Sequence, residues 1–248
     1  MFNASNEFQT RLRALDDLHS LISWFEDSFG VIQSDYIELV DSIKQSLCIL
    51  PVAFFEDFLR TVIEQFVDTL NQQNPRIEWT RLPLNLRKAH VFDTPLSFRK
   101  KPTDGDDDTY QENILTELKN VLGKLISPIE RPNEYILASE SLTDTNANPN
   151  SDTVKTMFSK VGINNIFTHQ YFLDEMKNYN IIFSEGERIK NKLNEVVNIR
   201  HGVAHGRGVS GITPTEIKNN MDFLKFLSVT LERSAQNHLD KILNPVPS

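Results

Sequence analysis

The sequence predicts an all-α fold, an antiparallel helical bundle with an irregular middle insertion, and three observations predict it. Apolar residues recur at three- and four-residue spacing over long segments, the period of an amphipathic helix. Helix-start signatures stand at Thr109 with Glu112, Ser184 with Glu187 and Thr213 with Glu216. Each is a capping box, in which a hydroxyl takes a backbone amide three residues on and a carboxylate reaches back. Alternating strand patterns are scarce, and no repeat of roughly 20 to 50 residues is visible, which removes solenoids and propellers.

The first helix is expected from Phe8 to Ser28, carried by Leu12, Leu15, Leu18, Leu21, Ile22 and Phe25. The second runs from Asp35 to Leu70, where Ile37, Val40, Ile43, Leu47, Leu50, Phe54, Phe58, Val62 and Phe66 extend one stripe. Pro51 should kink or restart it, because proline removes a backbone donor and clashes with the preceding turn. From Arg76 to Lys101 the character changes: seven cations stand against Glu78 and Asp93, a local charge of +5, with Pro83 and Pro95 among them. Asp104, Asp106, Asp107 and Asp108 follow at once. This stretch either touches phosphate, with Arg87, Lys88 and Arg99 as candidate contacts, or is a solvated loop neutralised by its acidic neighbour. Ser139 to Ser151, rich in asparagine, reads as a loop. The last two helices are expected from Ser184 to His205 and from Thr213 to Leu243, the latter with Pro214 at its first helical position. They pack back on the first pair.

A chain of 248 residues, 39% hydrophobic and 24% charged, has an ordinary globular composition and excludes a disordered or collagenous protein. It is read as one domain over 1–248 with a less regular insertion at about 73–150. The longest apolar run, Leu47 to Phe55, falls far below the roughly 18 to 20 residues that span a bilayer. The first seven residues lack the basic and apolar regions of a secretory signal, so the expectation is a cytoplasmic protein with no membrane partner. The lone Cys48 sits in an apolar run and reads as a small buried hydrophobe. A net charge of −8 argues against a general nucleic-acid coat protein and still allows a local basic groove.

The chemistry concentrates in Ile189 to Gly208. The apolar stripe there passes through Ile189, Leu193, Val196, Val197, Val203 and Ala204, and Arg200 lies within it. An uncompensated buried charge costs several kcal/mol, so this arginine needs a carboxylate, a subunit boundary or a bound anion. Four of the nine glycines fall at Gly202, Gly206, Gly208 and Gly211, which predicts a helix end near His205 with Gly206 as its left-handed terminator. Positions five apart on a straight helix point roughly 140° away from each other. Arg200 and His205 therefore need that break, or a second chain, to converge. His201 and His205 share the i, i+4 spacing of a zinc helix, yet no glutamate follows His201 and no further ligand cluster exists. Neither metal nor cofactor is expected. Two readings remain for the histidines: structural caps of a helix end, or members of an Arg and His pair acting on a phosphodiester.

Arg200-His201-Gly202-Val203-Ala204-His205 resembles the Arg-x4-6-His signature of the HEPN superfamily, at the end of the penultimate helix where that family places it. Val52 to Arg60 looks like the early HEPN helix that carries a glutamate, and Asn150 to Ile163 resembles the segment before the motif helix in RiboL-PSP-HEPN proteins. The likeness covers most of residues 35 to 240. It implies a HEPN bundle that forms a homodimer with both motifs facing one cleft, and a metal-independent endoribonuclease of the toxin, abortive-infection or RNA-processing kind. Gly202, inside the last helical turn, departs from the pattern.

In that reading histidine supplies proton transfer near neutrality, and the planar arginine fork binds the phosphate. Arg200 and His205 are the catalytic candidates, with His201 a supporting contact. Glu56 is expected to orient Arg200, since it stands in a strongly apolar helix where a lone carboxylate is costly. Arg207, Arg87, Lys88 and Arg99 are the RNA-binding candidates. RNA and a second copy are the expected partners, with a cognate antitoxin or nucleotidyltransferase as a further one. The alternative is a non-catalytic helical module that dimerises and engages a protein, nucleotide or nucleic acid. There Arg200 and Glu56 form a structural ion pair and His205 is a cap.

Overall fold

Among the described residues, periodic apolar sequence becomes α-helix, with eight helices of defined bounds and no strand. The computed structural model describes residues 2–29, 34–99, 108–132, 134–143, 148–170, 172–174, 186–209 and 211–245. In chain order the helices are α1 (Ala4–Phe29), α2 (Ser34–Asn71), α3 (Leu84–Arg99), α4 (Asp108–Glu130), α5 (Ser139–Thr143), α6 (Ser151–Lys160), α7 (Gly186–Ala204) and α8 (Pro214–Leu243). No helix among the described residues is long and apolar enough to cross a membrane.

The chain divides into two compact units, and α2 and α8 each contribute to both. The first holds Met1–Leu59, Ala147–Val154 and Phe167–Ser234. Within it α1 and the first part of α2 run antiparallel, as their contacts show. Phe8 near the start of α1 meets Phe55 and Phe58 at 6.0 and 5.7 Å, and Phe25 near its end meets Tyr36 at 5.7 Å. The partners of α1 on α8 also run in reverse order: Ser5 with Glu232, Asp16 with Lys225 and Lys218, His19 with the Pro214 carbonyl. Burial alone would raise the Asp16 carboxyl. The hydrogen bonds and charges of Lys225 and Lys218 together outweigh that and hold it below its ordinary value.

At the start of α8 the capping box forms as the sequence predicts. The Glu216 amide donates to Thr213 Oγ1 at 3.1 Å, and the Thr213 amide donates to the Glu216 carboxylate at 2.8 Å. Ser184 and the side chains of Thr109 and Glu112 lie outside the described residues.

Two expectations are refined. Of the kink or restart expected at Pro51, the restart does not occur: α2 continues through it. Leu47, Cys48, Val52 and Phe55 around the proline are all buried. Full burial of one such large side chain is worth about 1.5 to 3 kcal/mol, so several together exceed the roughly 3 kcal/mol that an internal proline costs. The middle stretch is also more regular than expected, since it carries α3, α4 and α5. In α3 the buried positions Leu86, Ala89, His90 and Thr94 follow helical spacing. Half of that face is polar, which hides the apolar period.

The second unit holds Arg60–Asn146, Lys155–Ile166 and Ala235–Ser248. Its core includes Val62, Ile63, Phe66, Leu86, Tyr135, Phe158 and Leu239, and polar groups fix its register. The Asn71 side chain receives the Leu137 amide at 2.9 Å and donates to the Leu137 carbonyl at 3.0 Å. His90 is fully buried. Its Nδ1 accepts the Ala138 amide at 3.3 Å, so the proton sits on Nε2, which donates to the Lys124 carbonyl at 2.9 Å.

Burial lowers the His90 pKa, the Lys124 carbonyl partly opposes this, and the Lys124 charge adds to the lowering. In the unfolded chain the ring takes up its proton near the reference value of about 6.5. Between the two values the unfolded state binds more protons, so the contribution of neutral His90 is complete above about 6.5 and declines as pH falls. Urea unfolding of wild type and His90→Gln checks this. The stability advantage of wild type should shrink from pH 7 to pH 5, and an advantage constant with pH would contradict it.

Candidate functional site

The buried stripe of α7, Ile189, Leu193, Val196, Val197 and Val203, seats the helix in its unit and dictates where the other side chains point. The helix stops at a Schellman motif. Gly206 takes φ +84°, its amide donates to the Val203 carbonyl at 3.1 Å, and the Arg207 amide donates to the Gly202 carbonyl at 2.9 Å. A residue with a Cβ disfavours that backbone, which is why glycine terminates the helix here. The expected terminator is therefore the observed one. His205 becomes the last half-helical residue, exposed, with its ring 4.3 Å from that of the equally exposed His201.

Arg200 is half-buried one turn earlier. Its Nη1 donates to Asn148 Oδ1 at 2.7 Å, and its buried Nε has no partner among the described residues. No carboxylate among those residues forms an ion pair with it. Asn148 is itself held. Its carbonyl accepts the Asn150 amide at 2.7 Å and the Thr153 hydroxyl at 2.8 Å. Asn150 Oδ1 accepts the Thr153 amide at 2.9 Å and so caps α6. One residue on, the Ser151 amide donates to Asn194 Oδ1 on α7 at 2.9 Å. The loop before α6 is thus tied to α7 at both Asn194 and Arg200, which fixes the direction of the guanidinium.

The electrostatic result is a partly desolvated cation with a neutral partner. A buried N–H without an acceptor costs about 1 to 3 kcal/mol, a cost set against the charge-assisted bond that Nη1 makes to Asn148.

The other candidates are distributed as follows. Arg207 is exposed, and its side chain folds back over α7: a Cβ built on Gly202 would lie 3.1 Å from Arg207 Cδ. Gly202 thereby makes room for that arginine. Glu56 is half-buried on α2, and the hydrogen bond that orients Arg200 comes from Asn148 in its place. Arg87 and Lys88 belong to the second unit, Arg87 donating to the Leu82 carbonyl at 3.2 Å and Lys88 exposed. The side chain of Arg99 lies outside the described residues. The end of α7 therefore carries Arg200, His201, His205 and, just past it, Arg207, and the His201 and His205 rings lie against each other. Among the described residues, no three His, Cys, Asp or Glu side chains gather as a metal-binding set.

Sequence reasoning missed Asn148 and Asn194 as parts of the site. Asn150 before Ser151 carries an N-cap signal. No local pattern ties that loop to a helix more than forty residues later.

A family model for RiboL-PSP-HEPN matches residues 6–237. No curated protein and no solved structure matches the chain. With nearly all of its length matched, and with an all-α fold ending its penultimate long helix on Arg200 and His205, the chain belongs to the RiboL-PSP-HEPN family.

Proposed function

We propose that this protein is a metal-independent endoribonuclease that acts as a symmetric homodimer, with Arg200 and His205 of both copies in one cleft. HEPN domains commonly dimerise and bind RNA. The observation that carries the reading is the Arg200 guanidinium, half-buried, held by a neutral amide and with Nε unpartnered, on the helix that exposes His205 at its end.

The chemistry follows from the residue types. Histidine, with a reference pKa of about 6.5, both accepts and donates protons near neutrality. His205 withdraws the proton of the 2′-hydroxyl, whose oxygen attacks the adjacent phosphorus. The bond from phosphorus to the 5′-oxygen breaks, and the partner's His205 protonates that oxygen. Arg200 binds the non-bridging oxygens, where charge grows in the transition state. His201 contacts the substrate beside His205. A homodimer is self-complementary about its twofold axis, and it brings together groups that point apart along one helix. This activity suits a toxin or antiviral-defence role, in which RNA cleavage arrests the cell.

The net charge of −8 favours the other reading, a non-catalytic dimerisation module, because a nuclease for long RNA gains affinity from a basic surface. Single-stranded RNA incubated with the protein in excess EDTA separates the two. Wild type should cleave. His205→Ala should lose about 10²- to 10⁴-fold, and Arg200→Lys, which keeps the charge and loses the fork, should weaken cleavage with an intact melting transition. A requirement for added metal, or full activity in a folded His205→Ala protein, would move the conclusion to the binding module.

A second outcome tests the neutral partner. Asn148→Asp turns the hydrogen bond into a charge-paired one and should stabilise the fold by about 1 kcal/mol. The same change neutralises Arg200 and should lower RNA cleavage. Thermal melts and the EDTA assay on one preparation check both signs, and an Asn148→Asp protein with wild-type activity would contradict the role given to Arg200.

A further inference from the structure

The face of α7 away from Arg200 forms a groove of about 530 Å³, within the roughly 300 to 1,000 Å³ of small-ligand sites. Asn191, Asn194 and Asn198 recur at helical spacing along it, so their carboxamides form one row. The side chains of Asn191 and Asn198 are exposed and make no hydrogen bond among the described residues. Asn194 has committed its oxygen to Ser151, which leaves its amino group for the groove. Ile199, Val203 and Ile212 add apolar surface, and Arg207 stands at one end. The single carboxylate of the lining, Glu195, is already paired with Lys192 at 2.7 Å.

Such a lining offers a row of neutral donors and acceptors, an apolar surface for a flat ring and one unpaired cation. We infer that this groove is a base-recognition subsite for a nucleotide of single-stranded RNA, with the base on the asparagine row and its phosphate on Arg207. Adenine is preferred over uracil, because its amino group carries two hydrogens and so its N6/N7 and N6/N1 edges can each match a carboxamide of the row, whereas uracil has one ring N–H to offer. The inference rests on the proposal that the chain acts on RNA. It also bears on Gly202: with no Cβ there, Arg207 lies across the helix at the groove without having to shift.

The test measures binding of fluorescein-labelled 2′-O-methyl oligonucleotides, which cannot undergo attack by a 2′-oxygen, and runs the EDTA cleavage assay in parallel. The full chain is compared as wild type, Asn191→Leu/Asn198→Leu and Arg207→Gln. Wild type should bind oligo(A) about tenfold more tightly than oligo(U), in line with one good bidentate contact. The double asparagine variant should bind the two alike, and Arg207→Gln should weaken both equally, each with a native melting transition. Equal binding of oligo(A) and oligo(U) by wild type, or a preference that survives in the double variant, would overturn the subsite. So would tighter capture of an acidic peptide than of either oligonucleotide. If wild type cleaves RNA in EDTA while the preference is absent, only the subsite falls. If the preference is present without cleavage, the subsite stands and the nuclease reading falls.

Discussion

A guanidinium on the inward side of a helix needs a partner, and the hydrogen bond from Arg200 to Asn148 is the answer this fold gives. Charge desolvation makes an unpaired arginine unfavourable at such a position. A carboxylate would be the ordinary solution, and it would also quench the charge. A neutral amide fixes direction and leaves the charge in place. Much of the surrounding structure serves that bond. The loop before α6 is closed by Asn150 and Thr153, tied to α7 through Asn194, and so holds Asn148 against the arginine.

The end of α7 depends on a second constraint, the left-handed residue at Gly206. The turn it makes leaves His205 at the tip of the helix beside His201, and sends the chain back so that Arg207 crosses Gly202. Gly202, inside the last helical turn, thus lies directly under the Arg207 side chain. Two glycines four residues apart do different work. The first admits a neighbouring side chain, and the second permits a backbone that other residues disfavour.

Helices α1, α2, α7 and α8 were legible because each carries an extended apolar stripe, and the start of α8 because its capping box is local chemistry. Gly206 was legible for the same reason. What escaped depends on distant partners or on polar residues inside. Burial around Pro51 carries α2 through it, where local rules left a kink or a restart open. His90 and Thr94 occupy the buried face of α3 and mask its period. In the site, Arg200 announced itself by standing in an apolar stripe, whereas Asn148 is one asparagine among several in a polar stretch. Its role exists only once the loop is folded against α7. The expected carboxylate Glu56 came from asking which charge should balance Arg200, and the structure supplies an amide.

The central claim is that Arg200 and His205 promote attack by the 2′-hydroxyl. The most direct measurement is the chemistry of the ends left after cleavage in EDTA, read by mass spectrometry on a defined oligoribonucleotide and on one carrying a single 2′-deoxy residue. The account predicts 2′,3′-cyclic phosphate and 5′-hydroxyl ends, with no cut after the 2′-deoxy position. Ends bearing 3′-hydroxyl and 5′-phosphate, or cleavage after the 2′-deoxy residue, would contradict it.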